Sequence, residues 1–267
     1  MSAVIIESGL VHYEALGRGR PLILIHGWLG SWRYWVPTMD DLSDRYRTYA
    51  LDLWGFGDSD RRRGGYTLSD YVALVCRFMD EMGIVRAPLV GHALGGVVAL
   101  RMAVESPERV EQVMGVSVPL DGMSISRPLA SFSGNGNDIL TRVLGRRQAS
   151  EYPEVQLEAN KTDGLAVADT VRAVMQMDLR RDLALITVPV LLVYGGHDPL
   201  IQKPEEKGHL RWRDQEDNIR VICLESARHF PMLDEMNKFN RLLRQFLDTN
   251  GDLSALEVKE EWRRRVR

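Results

Sequence analysis

The sequence predicts an α/β fold in which a mostly parallel central sheet is flanked by helices. Short apolar runs alternate with stretches of helical periodicity along most of the chain, and the apolar runs are nearly continuous. Strands have this pattern when helices cover both faces of a parallel sheet. Length and composition agree, because 267 residues with 45% hydrophobic and 27% charged side chains suit one soluble α/β unit.

The elements follow one another in a regular order. Two short strands come first and are joined by a turn at Ser8-Gly9. Most later apolar runs are followed by a stretch in which apolar residues recur at helical spacing, which is typical of strands linked by crossover helices. The predicted strands are 3–7, 11–15, 21–25, 47–51, 87–90, 110–116, 188–194 and 219–224, and the predicted helices begin near Ser31 and span 68–82, 93–105 and 236–247.

The alternation of strands and helices stops between residues 119 and 185. Pro119, Pro128 and a turn-forming stretch at 133–137 interrupt it, and helical patterns follow at 139–144 and 167–177. We therefore predict a helical cap at 119–185, inserted into a core formed by 1–118 and 186–250; a few ordinary surface helices are the alternative. Residues 251–267 are expected to be a solvated C-terminal tail with a basic end, in which the pattern is compatible with a short helix.

Charge and cysteine content exclude several classes of protein. The formal net charge of −3 gives no reason to expect nucleic acid or a membrane surface as a partner. Cys76 and Cys223 follow no metal-ligand spacing and favour reduced thiols in a cytoplasmic protein. The first residues lack the pattern of a signal peptide, and no apolar run is long enough to span a membrane.

The histidines and glycines of the sequence bear on metal and cofactor binding. The six histidines are scattered and no glycine-rich loop matches a nucleotide motif, so neither a metal nor a cofactor is expected. We expect a small-molecule substrate or ligand as the partner, and the sequence carries no indication of the oligomeric state.

Polar residues follow several predicted strands, where a parallel sheet would bring them to one edge. The segment HGW at 26–28 follows one strand, and GHALG at 91–95 leads from another strand directly into a helix. Two later strands are followed by GGHD at 195–198 and ARHF at 227–230. A glycine-framed turn, then an aspartate and then a histidine is a chain order that supports hydrolytic chemistry.

These motifs resemble those of the α/β-hydrolase superfamily, specifically its esterase-like branch with a cap. The resemblance extends from residue 21 to about 247 and includes DLWGFGDS at 52–59, which is similar to the family's D-x-x-G-x-G-x-S loop. It implies that Ala93 occupies the nucleophile position, that His229 is the general base and that Asp198 orients His229. The backbone N–H groups of Trp28 and Leu94 are implied as the oxyanion hole.

The residue types in these motifs have separate physical reasons. Gly91 and Gly95 permit a tight strand-to-helix turn, in which the central residue is strained and pushed into the cleft. The amide of Leu94 lies at the start of a helix, where free N–H groups and the helix dipole favour an anion.

Other residues are expected to support the site or to contact the substrate. His26 and His92 are expected to support the two loops rather than to carry protons. The loop at 52–59 is expected to be structural. Trp28 and Met123 are expected to contact the substrate, and methionines in the predicted cap suggest an adaptable apolar lining.

The alanine at position 93 leaves three interpretations open, because a methyl group cannot attack a carbonyl carbon. The alanine is an engineered replacement of a hydrolase's serine, or it is native and His229 activates a water in its place, or the protein is a pseudo-hydrolase that binds a ligand or a protein partner. The turn is also similar to that of the aminoacrylate hydrolases of pyrimidine breakdown, which read GHALG as well. We predict a hydrolase of a small, apolar carbonyl substrate such as an ester or a lactone.

Overall fold

A computed structural model describes residues 2–62, 65–133, 139–204, 218–249 and 251–256. Its centre is an eight-stranded sheet in the order β1-β2-β4-β3-β5-β6-β7-β8. The first three strands in this order pair antiparallel, and all the following pairs are parallel. The strands are β1 (Ser2–Ile6), β2 (Gly9–Gly17), β3 (Arg20–Ile25), β4 (Tyr46–Leu51), β5 (Ala87–His92), β6 (Val110–Val116), β7 (Val190–Gly195) and β8 (Ile219–Leu224).

The predicted fold class is confirmed, and the burial of the central strands shows why the sequence pattern was informative. Every residue of β5 and of β7 is buried, so both faces of the sheet are covered at these strands. The helices in the described part of the chain are α1 (Val36–Leu42), α2 (Leu68–Glu81), α3 (Leu94–Glu105), α4 (Arg127–Ala130), α5 (Ile139–Leu144), α6 (Arg146–Ala149), α7 (Pro153–Ala159), α8 (Gly164–Met175), α9 (Leu179–Leu183), α10 (Pro231–Asp234) and α11 (Met236–Asp248).

Helix α3 connects the sheet to the candidate site. It packs against β5 and β6, and its first seven residues, 94–100, are all buried. This explains its sequence, LGGVVAL, which is apolar on every side rather than amphipathic. The start of α3 is therefore held rigidly at the carboxyl end of β5.

The sheet register aligns the ends of neighbouring strands. His92 is paired with Val116, and Val116 is paired with Val193. The residues that follow β5, β6 and β7 consequently emerge at the same edge of the sheet. Ligand sites of open parallel sheets lie at this carboxyl edge.

The described chain between β6 and β7 is helical. It contains α4 to α9, while 134–138 lie outside the described residues. Several polar contacts join this helical segment to the sheet half of the molecule. The indole N–H of Trp28 donates to Thr170 Oγ1 at 2.8 Å, and Arg33 pairs with the buried Glu158 at 2.9 Å.

Some element boundaries differ from those predicted. Strand β7 begins at Val190 rather than at residue 188, because Pro189 has no N–H to contribute to the sheet. The stretch after Ser31 opens as a 3-10 helix, Trp32–Trp35, before α1. The predicted tail helix falls mostly on residues that lie outside the described part of the chain. Among the described residues of the tail, 251–256, the 3-10 turn Leu253–Ala255 is assigned. No helix among the described residues is long and apolar enough to cross a membrane.

Candidate active site

Ala93 forms the turn between β5 and α3, and its backbone is strained. Its φ is 46° and its ψ is −109°, and the residue is fully buried. Its N–H donates to the carbonyl oxygen of Val116 at 2.8 Å, which ties the turn to β6. Any Cβ at Gly91 would overlap the carbonyl of Gly95, so the tight turn requires glycine there. The strained geometry predicted for this position is present although the side chain is only a methyl group.

Asp198 and His229 come together after β7 and β8. The Nδ1 atom of His229 lies 3.1 and 3.0 Å from the two carboxylate oxygens of Asp198, and both side chains are almost completely buried. The backbone N–H groups of Leu200 and Ile201 donate to Asp198 Oδ1 at 2.8 and 3.1 Å. A carboxylate only accepts, so Nδ1 carries the proton and Nε2 of neutral His229 is left as a base.

The electrostatics of Asp198 favour its ionised form. Burial opposes ionisation, but the positive charge that His229 gains when it is protonated, the hydrogen bond from its ring and the two backbone amides hold the pKa of this carboxyl below its usual value. Asp198 therefore remains an anion that orients His229 and stabilises positive charge on its ring.

The loop after β3 lies directly against Ala93. A Cβ at Gly27 would be 2.9 Å from the Cβ of Ala93, so only glycine allows this close approach. The carbonyl oxygen of Gly27 accepts from His26 Nδ1 at 2.9 Å and from the N–H of Gly30 at 3.1 Å. In a trans peptide the N–H points opposite to the carbonyl, so these bonds also set the direction of the Trp28 N–H.

The two amides expected to bind an oxyanion are both free to donate. Leu94 is the first residue of α3, where an N–H has no partner within the helix. Trp28 directly follows Gly27 in the loop after β3. The N–H groups of Trp28 and Leu94 donate no hydrogen bond within the described part of the chain. Two unpaired N–H groups flanking a strained turn form an arrangement that can bind a negatively charged oxygen.

His26 has the contacts expected of a support. Its Nε2 accepts from the N–H of Leu53 at 2.9 Å, while its Nδ1 donates to the carbonyl of Gly27. Complete burial lowers the pKa of His26, so the ring is neutral and has one fixed tautomer.

The loop at 52–59 is held by a buried cluster that includes a residue which the sequence analysis missed. Asp52 accepts from the N–H groups of Trp32 and Asp58 at 2.8 and 3.0 Å, and from His12 Nδ1 at 2.9 Å. Ser59 Oγ donates to the carbonyl of Asp52 at 2.7 Å and accepts from the N–H of His12. No motif marks His12, which lies within strand β2.

This cluster also contains the one group of metal-ligand type among the described residues. Nitrogen and oxygen atoms of His12, Asp52 and Asp58 lie within 4.8 Å of one another. Both carboxylate oxygens of Asp52 already accept hydrogen bonds from the protein. The donor set therefore serves the fold as it stands, and a metal would have to displace these bonds.

The two residues expected to contact the substrate differ in position. Trp28 is 1% exposed, and its indole is held by the helical segment between β6 and β7. Met123 is 90% exposed, because it lies on the 3-10 turn Gly122–Ser124, which Asp121 caps. Its side chain is open to solvent, unlike that of Trp28, and its contact with the substrate stays a prediction.

Ser117 is a second residue that sequence reasoning missed. It follows β6 directly, one strand away from Ala93, and has a φ of 47°. Its side chain is fully buried, and its Oγ has no hydrogen-bond partner among the described residues. The available signal was its position as a polar residue at the end of a predicted strand.

A separate cavity of about 430 Å³ lies at the opposite edge of the sheet. It is formed where β3 and β6 begin, so it is not part of the candidate site. Its lining consists of Arg20, Arg86, Glu111, Gln112, Pro189, Leu247 and Gly251.

Known proteins similar to this chain include enzymes of several activities. The chain is 31% identical to the dihydrolipoyllysine-residue acetyltransferase component of the acetoin cleaving system of Cupriavidus necator, with 89% of this chain and 66% of that protein covered. The chain thus spans about two thirds of that relative. It is 27% identical to the pimeloyl-[acyl-carrier protein] methyl ester esterase of Aliivibrio fischeri, with 90% and 98% covered.

Solved structures share the fold. The enol-lactonase from Burkholderia xenovorans matches with a TM-score of 0.79 at 21% identity, covering 92% of this chain and all of that chain. A mutant of the meta-cleavage product hydrolase from Pseudomonas fluorescens matches with a TM-score of 0.77 at 23% identity, covering 93% and 97%. The family model described as the alpha/beta hydrolase family matches residues 22–242. The chain therefore belongs to the α/β hydrolase family.

Proposed function

We propose that this protein hydrolyses a small, apolar ester or lactone, with a water in place of the missing nucleophile. The observation that carries this proposal is the buried Asp198–His229 pair, which is complete although position 93 is alanine. The imidazole of His229 lies 4.6 Å, between ring centroids, from that of His92, the residue before Ala93. The base therefore lies close to the strained turn.

The proposed reaction has two steps. A water beside the methyl group of Ala93 attacks the carbonyl carbon and gives its proton to Nε2 of His229, while Asp198 stabilises the resulting imidazolium. The carbonyl oxygen becomes an oxyanion that accepts from the Trp28 and Leu94 amides. The tetrahedral intermediate then expels the alcohol, which takes the proton from His229, and a carboxylic acid is left.

The helical segment at 119–185 is proposed to act as a cap over this site, as a part distinct from the core at 1–118 and 186–250. Contacts such as that between Tyr66 Oη and Asp163 at 2.7 Å attach it to the core. A cap of this kind excludes water and selects the substrate by shape. The names of two similar proteins, a methyl ester esterase and an enol-lactonase, support esters and lactones as the substrate class.

The first test uses short p-nitrophenyl esters and compares two histidines. His229→Ala should lower kcat by about 10³-fold, within the range of losses seen when a general base is removed. His197→Ala is the matched control, because His197 is an exposed histidine next to Asp198 and should leave kcat unchanged. Equal activity of both variants would reject the water mechanism.

The second test separates the water mechanism from the two alternatives. Ala93→Ser should give a burst of p-nitrophenol if the site is a competent Ser-Asp-His frame. A burst in this variant, with no turnover at all by the unsubstituted chain, would mean that alanine disables a serine hydrolase. No turnover by either protein, combined with thermal stabilisation by a small apolar ester, would identify a pseudo-hydrolase. This is the second candidate function, because the methyl group of Ala93 cannot act as a nucleophile.

A further inference from the structure

We propose that Tyr34 and His92 form a hydrogen-bond relay with one fixed arrangement of protons, and that this relay positions the loops of the candidate active site. The catalytic consequence rests on the proposed function, whereas the relay itself is a structural claim. Neither residue is proposed to touch the substrate. Tyr34 has no motif that marks it in the sequence.

The relay consists of three consecutive hydrogen bonds in a buried region. The N–H of Gly27 donates to Tyr34 Oη at 2.7 Å, and Tyr34 Oη lies 3.0 Å from His92 Nδ1. On the other side of the ring, His92 Nε2 lies 2.8 Å from the carbonyl oxygen of His229. Tyr34 and His92 are only 2% and 1% exposed, so water does not compete for these bonds.

The chemistry of the partners fixes every proton in the relay. A carbonyl oxygen can only accept, so the proton of neutral His92 is on Nε2 and points to His229. Nδ1 is then an acceptor, and the hydroxyl of Tyr34 must donate to it. The lone pair that remains on Tyr34 Oη accepts the N–H of Gly27.

Burial maintains these charge states. It lowers the pKa of His92 well below 6.5, with the nearby His229 adding to the effect, and it raises the pKa of Tyr34 well above 10. The imidazole therefore stays neutral and the phenol keeps its proton. A second proton on His92 would place two donors, Nδ1–H and the phenol O–H, against each other.

The relay joins the parts of the site that come from distant stretches of chain. Gly27 precedes the Trp28 amide, His92 precedes Ala93, and the last acceptor is the backbone of His229 itself. Tyr34 is placed on the 3-10 helix Trp32–Trp35, whose first N–H is bound by Asp52. One phenol and one imidazole thus connect the oxyanion loop, the strained turn and the loop of the base.

The orientation of His229 depends on this connection. Asp198 holds the ring through Nδ1, and His92 holds the backbone of the same residue. Phe230 packs against both histidine rings, at centroid distances of 5.2 Å from His92 and 5.0 Å from His229. Displacing a reacting group by about 1 Å can cost on the order of 10²-fold in rate, so the hold on the backbone matters for catalysis.

The test removes a single oxygen atom from the relay. Tyr34→Phe keeps the ring but leaves Gly27 N–H and His92 Nδ1 without partners. We expect kcat for p-nitrophenyl esters to fall by about 10- to 100-fold, with KM changed by less than about threefold. Tyr71→Phe is the matched control, because Tyr71 is also fully buried and donates to a backbone carbonyl, that of Trp54, outside the site. It should not change kcat.

A spectroscopic measurement tests the relay without relying on turnover. Nitrogen NMR of the ¹⁵N-histidine-labelled protein should show His92 as the Nε2–H tautomer from pH 5 to 9. In Tyr34→Phe, His92 should titrate at higher pH than in the unsubstituted chain, because its Nδ1 no longer accepts a hydrogen bond that favours the neutral ring. Tyr71→Phe should leave the His92 signals in place.

The outcomes distinguish the relay from the proposed function. An Nδ1–H tautomer of His92 in the unsubstituted chain would overturn the relay. If the Tyr34→Phe variant has measurable activity, a kcat equal to that of the unsubstituted chain would overturn it as well. Absence of turnover in every protein would count against the proposed function, and the tautomer would still decide the relay. If Tyr34→Phe does not fold, His92→Gln serves instead, since the glutamine amide, like neutral imidazole, carries both a donor group and an acceptor group. It should retain more activity than His92→Leu, and equal activities would contradict the relay.

Discussion

The strained turn at position 93 makes a prediction about stability that does not depend on catalysis. With a φ of 46° and a ψ of −109°, Ala93 occupies a region that L-residues rarely adopt, at a cost of about 1–3 kcal/mol. Glycine populates positive φ about as readily as negative φ. Ala93→Gly should therefore relieve the strain. Its effect on the free energy of unfolding should differ from that of an Ala→Gly substitution at a buried position whose backbone is not strained.

Ala99 provides the matched position, because it is also fully buried but lies within helix α3. Ala99→Gly loses a buried methyl group, about 0.8 kcal/mol, and costs about 1 kcal/mol in helix propensity. Ala93→Gly loses the same methyl group and about 0.5–1 kcal/mol of backbone entropy. Against this it gains about 2 kcal/mol of strain relief. The two variants should therefore differ by about 2 kcal/mol in the free energy of unfolding, with Ala93→Gly the more stable.

Urea unfolding of both variants and of the unsubstituted chain measures this difference directly. For a protein of this size, it corresponds to roughly 4–8 °C between the midpoints of thermal unfolding. Equal losses of stability in the two variants would contradict this prediction. They would mean that the turn is not strained, and the preformed geometry on which the candidate site depends would lose its main support.

Three further predictions concern the surroundings of the site. A Cβ in Gly57→Ala would overlap the carboxylate of Asp52, whereas Gly83 has a similar positive φ but open space around it. Gly57→Ala should therefore be less stable than Gly83→Ala by about 1–3 kcal/mol in urea unfolding. Equal stabilities of the two variants would contradict the clash. Burial opposes protonation of His12, but the hydrogen bond and charge of Asp52 raise the pKa of His12 above 6.5. Protonated His12 therefore stabilises the folded state, and this stabilisation is complete below pH 6.5 and is lost as the pH rises through the raised pKa. The stability advantage over His12→Asn should shrink accordingly above pH 6.5, and an advantage independent of pH would show that His12 does not titrate in this way. Ser117→Ala should not lower the free energy of unfolding, because the buried hydroxyl has no partner among the described residues, and a loss above about 1 kcal/mol would mean that it has one.

The fold class and most elements were predictable because they depend on local patterns. Continuous apolar runs such as β5 and β7 are buried on both faces, and a predicted helix at 139–144 coincides with α5. Boundaries that depend on a single hydrogen bond were less predictable. The strand expected at 188 starts at Val190, since a proline precedes it.

Part of the candidate site was also predictable, since parallel strands bring their carboxyl ends to one edge. This reasoning brings Asp198 and His229 to the same edge, where the two side chains share a hydrogen bond; their role in catalysis stays a prediction. It does not decide side-chain direction. Met123 lies in the expected helical segment, yet its side chain faces solvent because of the capped turn on which it sits.

Spacing and turn chemistry act over a few neighbouring residues, so the amino-acid sequence was enough to predict most secondary structure elements and the polar residues at strand ends. Which side chains meet depends on how distant stretches of the chain pack in the folded protein. Tyr34 and His92 are 58 residues apart, and His92 and His229 are 137 apart. Whether such residues share a hydrogen bond depends on sheet register and on how the 3-10 helix packs beside β5, and no local pattern encodes either.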